Sequence, residues 1–548
     1  MDGLRLTPEM VDRYTAQGSW GATLLHDYLA RHAAERPQRE AVVSPARGSE
    51  ERARLTWRQL GAEVERAAGG MRALGLGTGD VVSIQLPNWY EYLVLALATS
   101  RIGGVINGIT PIYRQYELRF ILERTASKLM VIPAEFRGFD YVGMVRGLRN
   151  ELPSLRHVVV VGSEPAVGAG FMSYDELLAR SPSEADGTTP GIDANDVVQI
   201  AFTSGTTGEP KGAMHTHNTL RATGQGLIDQ LELQPEQVNL VVSPVGHQTG
   251  FLWGLLISLM LGGKMVFCPR WDPVQVVEEI AREGVTTIAG ATPFLRDLTY
   301  APNLTPEKVA TLRTFITAGA PIPPIVVRDG SARLGKIHAG WGMTEYGLVT
   351  ALAASDPQEK AEISDGRALP WAEVRVQDAD GHLSGPGEEG DLQIRGPGLF
   401  VGYYKRPDFN DASFTEDGFL KTGDRAYLDA EGFLRIAGRT KDIIIRGGEN
   451  IPVVEIEALL YAHPRIQDVA IVAMPDERLG ERACAYVVLK PGAGGIDLQE
   501  ITSFLLGHQV AKQKLPERLE LIDVLPRTIT GKVQKFQLRE DIKQRLAP

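Results

Sequence analysis

The sequence predicts an α/β protein: a large N-terminal domain of stacked α/β sheets that includes a β-rich subdomain, and a small C-terminal α+β domain. Three observations carry this. Short strand-like runs alternate with amphipathic helical stretches through the first three-quarters of the chain. From about residue 373 to 438 strands are joined by tight polar turns. From residue 441 to 548 a compact set of helices and strands follows, long enough for a domain of its own.

Taken in order, VVSIQLP (81–87), LMVIPA (129–134), HVVVVG (157–162), KMVFCP (264–269) and TTIAGA (286–291) read as strands. Helical patterns lie between them, such as WDPVQVVEEIAREG (271–284). That alternation argues a substantially parallel sheet. FLWGLLISLMLGG (251–263) is the most apolar segment. A bilayer takes about 20 residues, so this one reads as a buried helix. EVRVQDADGHLSGPGEEGDLQIRG (373–396) and YLDAEGFLRIAG (427–438) pair strands through DADG, GPGEEG and DAEG turns. In the tail, VEIEALLYAHP (454–464) and LQEITSFLLGHQV (498–510) read as helices. DVAIVAMPD (468–476), ACAYVVLK (483–490) and LELIDVLP (519–526) read as strands. GSEPAVGAG (162–170) and SPSEADGTTPG (181–191) read as loops.

Composition excludes several classes. The 548 residues are 43% hydrophobic and 23% charged, as in folded globular proteins. A net charge of −11 argues against nucleic acid as a main partner. Two cysteines, Cys268 and Cys484, make neither a disulfide framework nor a zinc cluster, and their apolar settings predict buried, inert thiols. The N-terminus lacks the basic-then-apolar pattern of a signal peptide. These points predict a cytoplasmic protein without an integral membrane segment.

One loop points to chemistry. FTSGTTGEPKGAMHTH (202–217) follows DVVQIAF (196–202), which has strand character. Glycine lets the backbone approach a ligand closely, Ser and Thr supply hydroxyl donors, and Lys211 supplies a compact positive charge. Backbone N–H groups fanned round such a turn bind anions. A polar, Gly-rich loop after a strand is where α/β proteins place ligands, so the prediction is a phosphate loop. It is neither the Walker type nor a dinucleotide fingerprint, because Glu209 and Pro210 separate Lys211 from Gly208 and no G-x-G-x-x-G occurs in it.

With four further motifs the chain resembles the adenylate-forming acyl-CoA synthetases of the ANL superfamily, essentially end to end. TSGTTGEPKG (203–212) resembles their phosphate loop, and GAP (319–321) and GWGMTEYG (340–347) their adenine and acyl-phosphate segments. KTGDRAYLDAEGFLRIAGRTKDIIIRGGENI (421–451) resembles the ribose and hinge region, and PRTITGKVQK (526–535) the C-terminal catalytic loop. PVGHQTGFLWG (244–254) and IIIRGGENIPVVEIE (443–457) look most like the medium-chain and cyclohexanecarboxylate-CoA ligase branch.

The resemblance implies the ANL fold, with a C-terminal domain that moves about a hinge at Lys441. It also implies two half-reactions: ATP and Mg2+ convert a carboxylic acid to acyl-AMP, and the thiol of CoA then displaces AMP. Thr203, Ser204, Gly205, Thr206, Thr207, Gly208 and Lys211 would hold the β- and γ-phosphates. Gly319, Ala320, Pro321, Gly340, Trp341 and Gly342 would border the nucleotide. Thr344 would meet the α-phosphate and Glu345 would coordinate the metal. Asp424 would take the ribose hydroxyls, and Arg439 the ribose or a phosphate. Lys532 would bridge the carboxylate and the α-phosphate, offsetting the repulsion of two anions. After rotation, Arg446, Gly447 and Gly448 would accompany the pantetheine arm. His247 would divide the acyl pocket from the thiol tunnel, with Gly250, Phe251, Trp253, Ala318, Gly319 and Trp341 as candidate pocket wall.

Read alone, a Thr-Glu pair is a helix cap, Asp424 a turn residue, Lys532 a solvated lysine and His247 a structural histidine. The order of the motifs is what gives them these roles. HQTGFLWG (247–254) offers no carboxylate for a substrate ammonium, so amino acids are disfavoured and an aliphatic, alicyclic or polycyclic acid fits. Trp371 stands where relatives usually have glycine. Rival readings are an acyl-AMP ligase that loads a carrier protein, and an enzyme that keeps one half-reaction and takes acyl-AMP from a partner ligase. A non-catalytic sensor is disfavoured by intact Lys532, Glu345 and Asp424. Nothing in the chain asks for an oxidase, and no oligomeric state is predicted.

Overall fold

The computed structural model describes residues 1–45, 52–162, 170–182, 191–203, 210–320, 322–439, 442, 444–446, 449–451, 453–476, 479–508, 510, 512–528 and 531–546. Every structural statement below concerns those residues. The two expected loops at 162–170 and 181–191 fall mostly outside them.

Two large sheets form the body. One has seven strands, in the order Lys211–Thr216, Val197–Thr203, Val105–Gly108, Val81–Ile84, Leu129–Pro133, His157–Val161 and Phe171–Ser173. All its pairs are parallel except the first. Parallel strands carry helices on both faces and read as unbroken apolar runs. Val81–Ile84 and Leu129–Pro133 are accordingly buried at every position. The second sheet has nine strands, with Thr287–Gly290, Thr314–Thr317 and Lys336–Met343 paired in parallel near one end. The expected helix at 271–284 spans Pro273–Glu283. Asp272 accepts from the N–H groups of Val274 and Gln275, proline opens it, and Gly284 closes it at φ +66°.

A four-stranded antiparallel sheet from Glu373–Gln377 to Leu434–Arg439 is the β-rich subdomain. A separate five-stranded sheet carries Ile444–Arg446, Ile466–Asp476, Gly480–Leu489 and Arg518–Leu521. Its core, with Ile456, Ile471, Val487 and Leu505, is distinct from those of the body. Passage between these two sheets falls within residues 440–443, and the expected hinge, Lys441, lies outside the described residues.

Two local outcomes differ from expectation. The apolar segment expected as one helix starts as a π-helix, Gly250–Leu256, and becomes α-helical only over Ile257–Leu261. Wide turns of this kind often mark functional sites. Trp371 adopts φ +68°, so a left-handed backbone that glycine takes freely is filled here by a bulky side chain. The two thiols also differ in setting. Cys484 is buried and Cys268 half-buried, and burial pushes both up to about 12. Among the described residues no helix is long and apolar enough to cross a membrane.

Candidate active site

The phosphate-loop sequence joins two antiparallel strands. Thr203 and Lys211 are register partners at the ends of antiparallel strands Val197–Thr203 and Lys211–Thr216. Ser204, Gly205, Thr206, Thr207 and Gly208 lie outside the described residues. The Lys211 ammonium sits 3.9 Å from the centroid of the Phe409 ring and 5.2 Å from that of Tyr403.

Thr344, Glu345 and Tyr346 form the turn between strands Lys336–Met343 and Gly347–Ala351, not a helix cap. Contacts among the described residues hold this turn. His215 Nε2 lies 2.8 Å from the Thr344 carbonyl, and the Phe400 N–H donates to the Glu345 carbonyl at 2.7 Å. The Thr223 hydroxyl donates to the Tyr346 carbonyl at 2.8 Å, and the Tyr403 hydroxyl donates to Glu345 Oε1 at 2.7 Å. Residues 400–404 reach this position by running beside the hairpin. Val401 N–H donates to the Met214 carbonyl at 2.8 Å, Met214 N–H to the Gly402 carbonyl at 3.0 Å, and Tyr404 N–H to the Gly212 carbonyl at 2.8 Å.

A cavity of about 390 Å³ opens between the body and the C-terminal sheet. Gly319, Ala320, Gly340, Trp341, Gly342, Asp424 and Lys532 all line it, from four widely separated stretches of chain. Trp341 Nε1 donates to Asp424 Oδ2 at 3.2 Å, which fixes the carboxylate against the indole. Asp424 pairs in register with Arg439 across strands Leu420–Leu428 and Leu434–Arg439. Asp365 also lines the cavity. Burial raises its pKa, against the nearby Arg435 guanidinium and the Ile436 N–H.

Lys532 enters on a tight hairpin. Thr528 N–H donates to the Lys532 carbonyl at 2.8 Å, and Lys532 N–H to the Thr528 hydroxyl at 3.1 Å. Arg527 donates to Asp468 at 2.5 Å. Gly531, at φ +82°, passes so close to Pro293 of the body that a Cβ there would stand 2.8 Å from Pro293 Cγ. His247 lies within electrostatic reach of the same lysine. Burial first, and then the Lys532 charge, push its pKa down to about 4. The Thr249 N–H donates to His247 Nδ1 at 3.3 Å, so that nitrogen is an acceptor.

Several other expected site residues do not line this cavity. Phe251, Trp253 and Ala318 pack in the largest hydrophobic core, and neither they nor Gly250 borders the cavity. Arg446 pairs with Glu517 at 2.9 Å inside the C-terminal unit. Pro321, Gly447 and Gly448 lie outside the described residues, as does the Arg439 side chain.

Sequence reasoning missed His215, Tyr403 and Asp365. Period-2 alternation from Lys211 puts His215 on the lysine's face of the strand, which could have flagged it. Tyr403 is 58 residues from Glu345 and had no local signal.

A model of the AMP-binding enzymes matches residues 29–404, and one of the AMP-binding enzyme C-terminal domain matches residues 455–532. A medium-chain fatty-acid–CoA ligase of Escherichia coli is 36% identical over 97% of this chain and 93% of its own length. A mitochondrial medium-chain acyl-CoA ligase of Bos taurus is 32% identical over 93% and 86%. Among solved structures, ATP-bound MatB from Rhodopseudomonas palustris superposes with a TM-score of 0.84 at 30% identity, covering 96% of this chain and all of that one. The chain belongs to the AMP-binding enzymes, the adenylate-forming ANL superfamily. Within it, the enzyme class is the AMP-forming acyl-CoA synthetases.

Proposed function

We propose that the protein activates an apolar carboxylic acid (medium-chain, alicyclic or polycyclic) as acyl-AMP and passes the acyl group to CoA. The observation that carries this reading is the cavity lined at once by Trp341–Asp424 from the body and Lys532 from the C-terminal unit. It is nucleotide-sized and brings a cation to where two anions must meet.

In this reading a carboxylate oxygen of the acid attacks the α-phosphorus of ATP, and pyrophosphate leaves. Lys532 sits between the two anions and offsets their repulsion in a site shielded from water. Thr344 meets the α-phosphate, and the 203–211 hairpin cradles the departing phosphates. Asp424, already oriented by Trp341, accepts from the ribose hydroxyls. A buried carboxylate held by a phenol is the kind of hard oxygen donor that Mg2+ takes together with phosphate oxygens. Glu345 would hold the ion, which would supply charge neutralisation. In the second step the CoA sulfur attacks the acyl carbon and AMP leaves. Rotation about Lys441 withdraws Lys532 and brings Arg446, Gly447 and Gly448 to the site. His247, neutral at physiological pH, borders the acyl carboxyl group. The two free thiols support a cytoplasmic setting.

The test separates the steps. Pyrophosphate release is followed with ATP, Mg2+ and a panel of medium-chain and alicyclic acids, with and without CoA. Beside it, synthetic acyl-AMP plus CoA is followed to acyl-CoA. Activity in both arms is expected. Acyl-AMP accumulation with no transfer to CoA would replace this reading by a carrier-loading ligase, and transfer without pyrophosphate release by a single-step enzyme.

A further inference from the structure

We infer that His215 is a positioning residue for adenylation, fixing the Thr344–Glu345 turn in register with the phosphate-loop strand. This rests on the reading above that Thr344 and Glu345 serve the phosphates.

The geometry is direct. His215 lies on strand Lys211–Thr216, four residues beyond Lys211, so strand alternation puts both side chains on one face. Its Nε2 lies 2.8 Å from the Thr344 carbonyl, across 129 residues of chain. A carbonyl can only accept, so Nε2 carries the proton. In the neutral ring Nδ1 is then an acceptor, and it faces the Thr219 hydroxyl at 3.3 Å. The side chain is 1% exposed, so water does not replace the donor if the ring is lost. Among the described residues, Thr223, Phe400 and Tyr403 also hydrogen-bond the turn. Only His215 joins it through a side chain of the strand that also bears Lys211. His215 therefore ties the strand that leads out of the phosphate loop directly to the Thr344–Glu345 turn, beside the link through residues 400–404, and helps to set their spacing. Catalysis by positioning is sensitive to shifts of about 1 Å, so this spacing bears on the adenylation rate.

Two variants test it. His215→Leu fills the volume without a donor, whereas His215→Gln carries an amide N–H to about the reach of Nε2. Calorimetric titration with Mg·ATP needs no knowledge of the acid. His215→Leu is expected to weaken Mg·ATP binding about tenfold, the size of one buried donor lost. Pyrophosphate release with octanoate should fall about ten- to a hundredfold. Transfer from synthetic octanoyl-AMP to CoA should stay within about threefold, because that step uses neither the cradle nor pyrophosphate departure. His215→Gln should recover most of the loss. Unchanged Mg·ATP affinity in His215→Leu would overturn the inference. So would equal loss of both half-reactions together with melting temperature, unrescued by Gln, since that is a packing role. Wild-type protein that does not bind Mg·ATP at all would instead sink the phosphate-site reading, and this assignment with it.

Discussion

The turn that follows the cavity-lining residues Gly340–Gly342 and the hairpin that carries Lys532 are built in opposite ways. The Thr344–Tyr346 turn is wedged in the body, with each backbone carbonyl taken by a donor from a different segment: His215, Phe400 N–H and Thr223. The Lys532 hairpin belongs to the C-terminal unit, where the flanking Leu525 and Val533 pack in a core separate from those of the body. Its internal bonds run from Thr528 to Gly531 and Lys532, and it meets the body at close range where Gly531 passes Pro293. The turn cannot shift without exposing buried polar groups, at about 1–3 kcal/mol each. On the proposed function the hairpin would leave as a unit, keeping its internal bonds to Thr528. On the proposed function, the difference would separate groups that stay in place through both half-reactions from one that leaves between them.

Four experiments sharpen or break that comparison, the largest effect first. Lys532→Ala should lower pyrophosphate release by about a thousandfold, as for loss of a major transition-state charge partner, and leave transfer from supplied acyl-AMP nearly intact. Equal loss in both assays would remove the distinction between the two parts. Tyr403→Phe takes the donor from Glu345 Oε1. By analogy with other groups that orient a metal ligand, the Mg2+ concentration for half-maximal adenylation should rise about tenfold. A Mg2+ titration of pyrophosphate release reads this directly, and an unchanged midpoint would mean the phenol does not orient the carboxylate.

Gly531→Ala comes next. The added methyl meets Pro293 and the backbone is left-handed, so seating of the hairpin should weaken by about 1 kcal/mol or more. Adenylation should fall about five- to tenfold while acyl transfer is spared, and Pro293→Ala in the same chain should restore part of the loss. No restoration would place the whole effect in the backbone.

The smallest effect concerns stability alone. Burial lowers the pKa of His215 and His338 to about 4 and that of His217 to about 3. The unfolded chain binds these protons near pH 6.5, and the folded chain does not until well below it. Stability is therefore fully present above about pH 6.5 and declines as pH falls toward 4, by up to about 1.4 kcal/mol per pH unit for each histidine. Urea unfolding at pH 7 and pH 5 should show the drop. His338→Asn, which keeps a donor for the Leu352 carbonyl, should reduce it. An unchanged drop in that variant would assign the loss to other groups.

Much of this was legible in the chain. The alternation of apolar runs with helical patterns predicts the sheets of the body, and the polar-turn texture from residue 373 predicts the subdomain, because backbone periodicity and turn chemistry are local properties. The motifs predicted Trp341, Asp424, Gly319 and Lys532 as members of one site, and all four line one cavity. What the sequence could not reach was which residues hold that site in place. His215 bonds the turn across 129 residues and Tyr403 reaches Glu345 across 58, and neither pair shares a local pattern. The π-helical turn at Gly250–Leu256 was hidden for a related reason: its apolar residues satisfy a helical period of either width, and packing alone chooses between them. By itself the sequence determined most of the elements and the family, and it nominated the candidate site residues, because those depend on local pattern and residue chemistry. Only the tertiary structure decided how the groups are held: hydrogen-bond partners of buried groups are chosen by proximity in space, and chain topology, not spacing along the chain, sets that proximity.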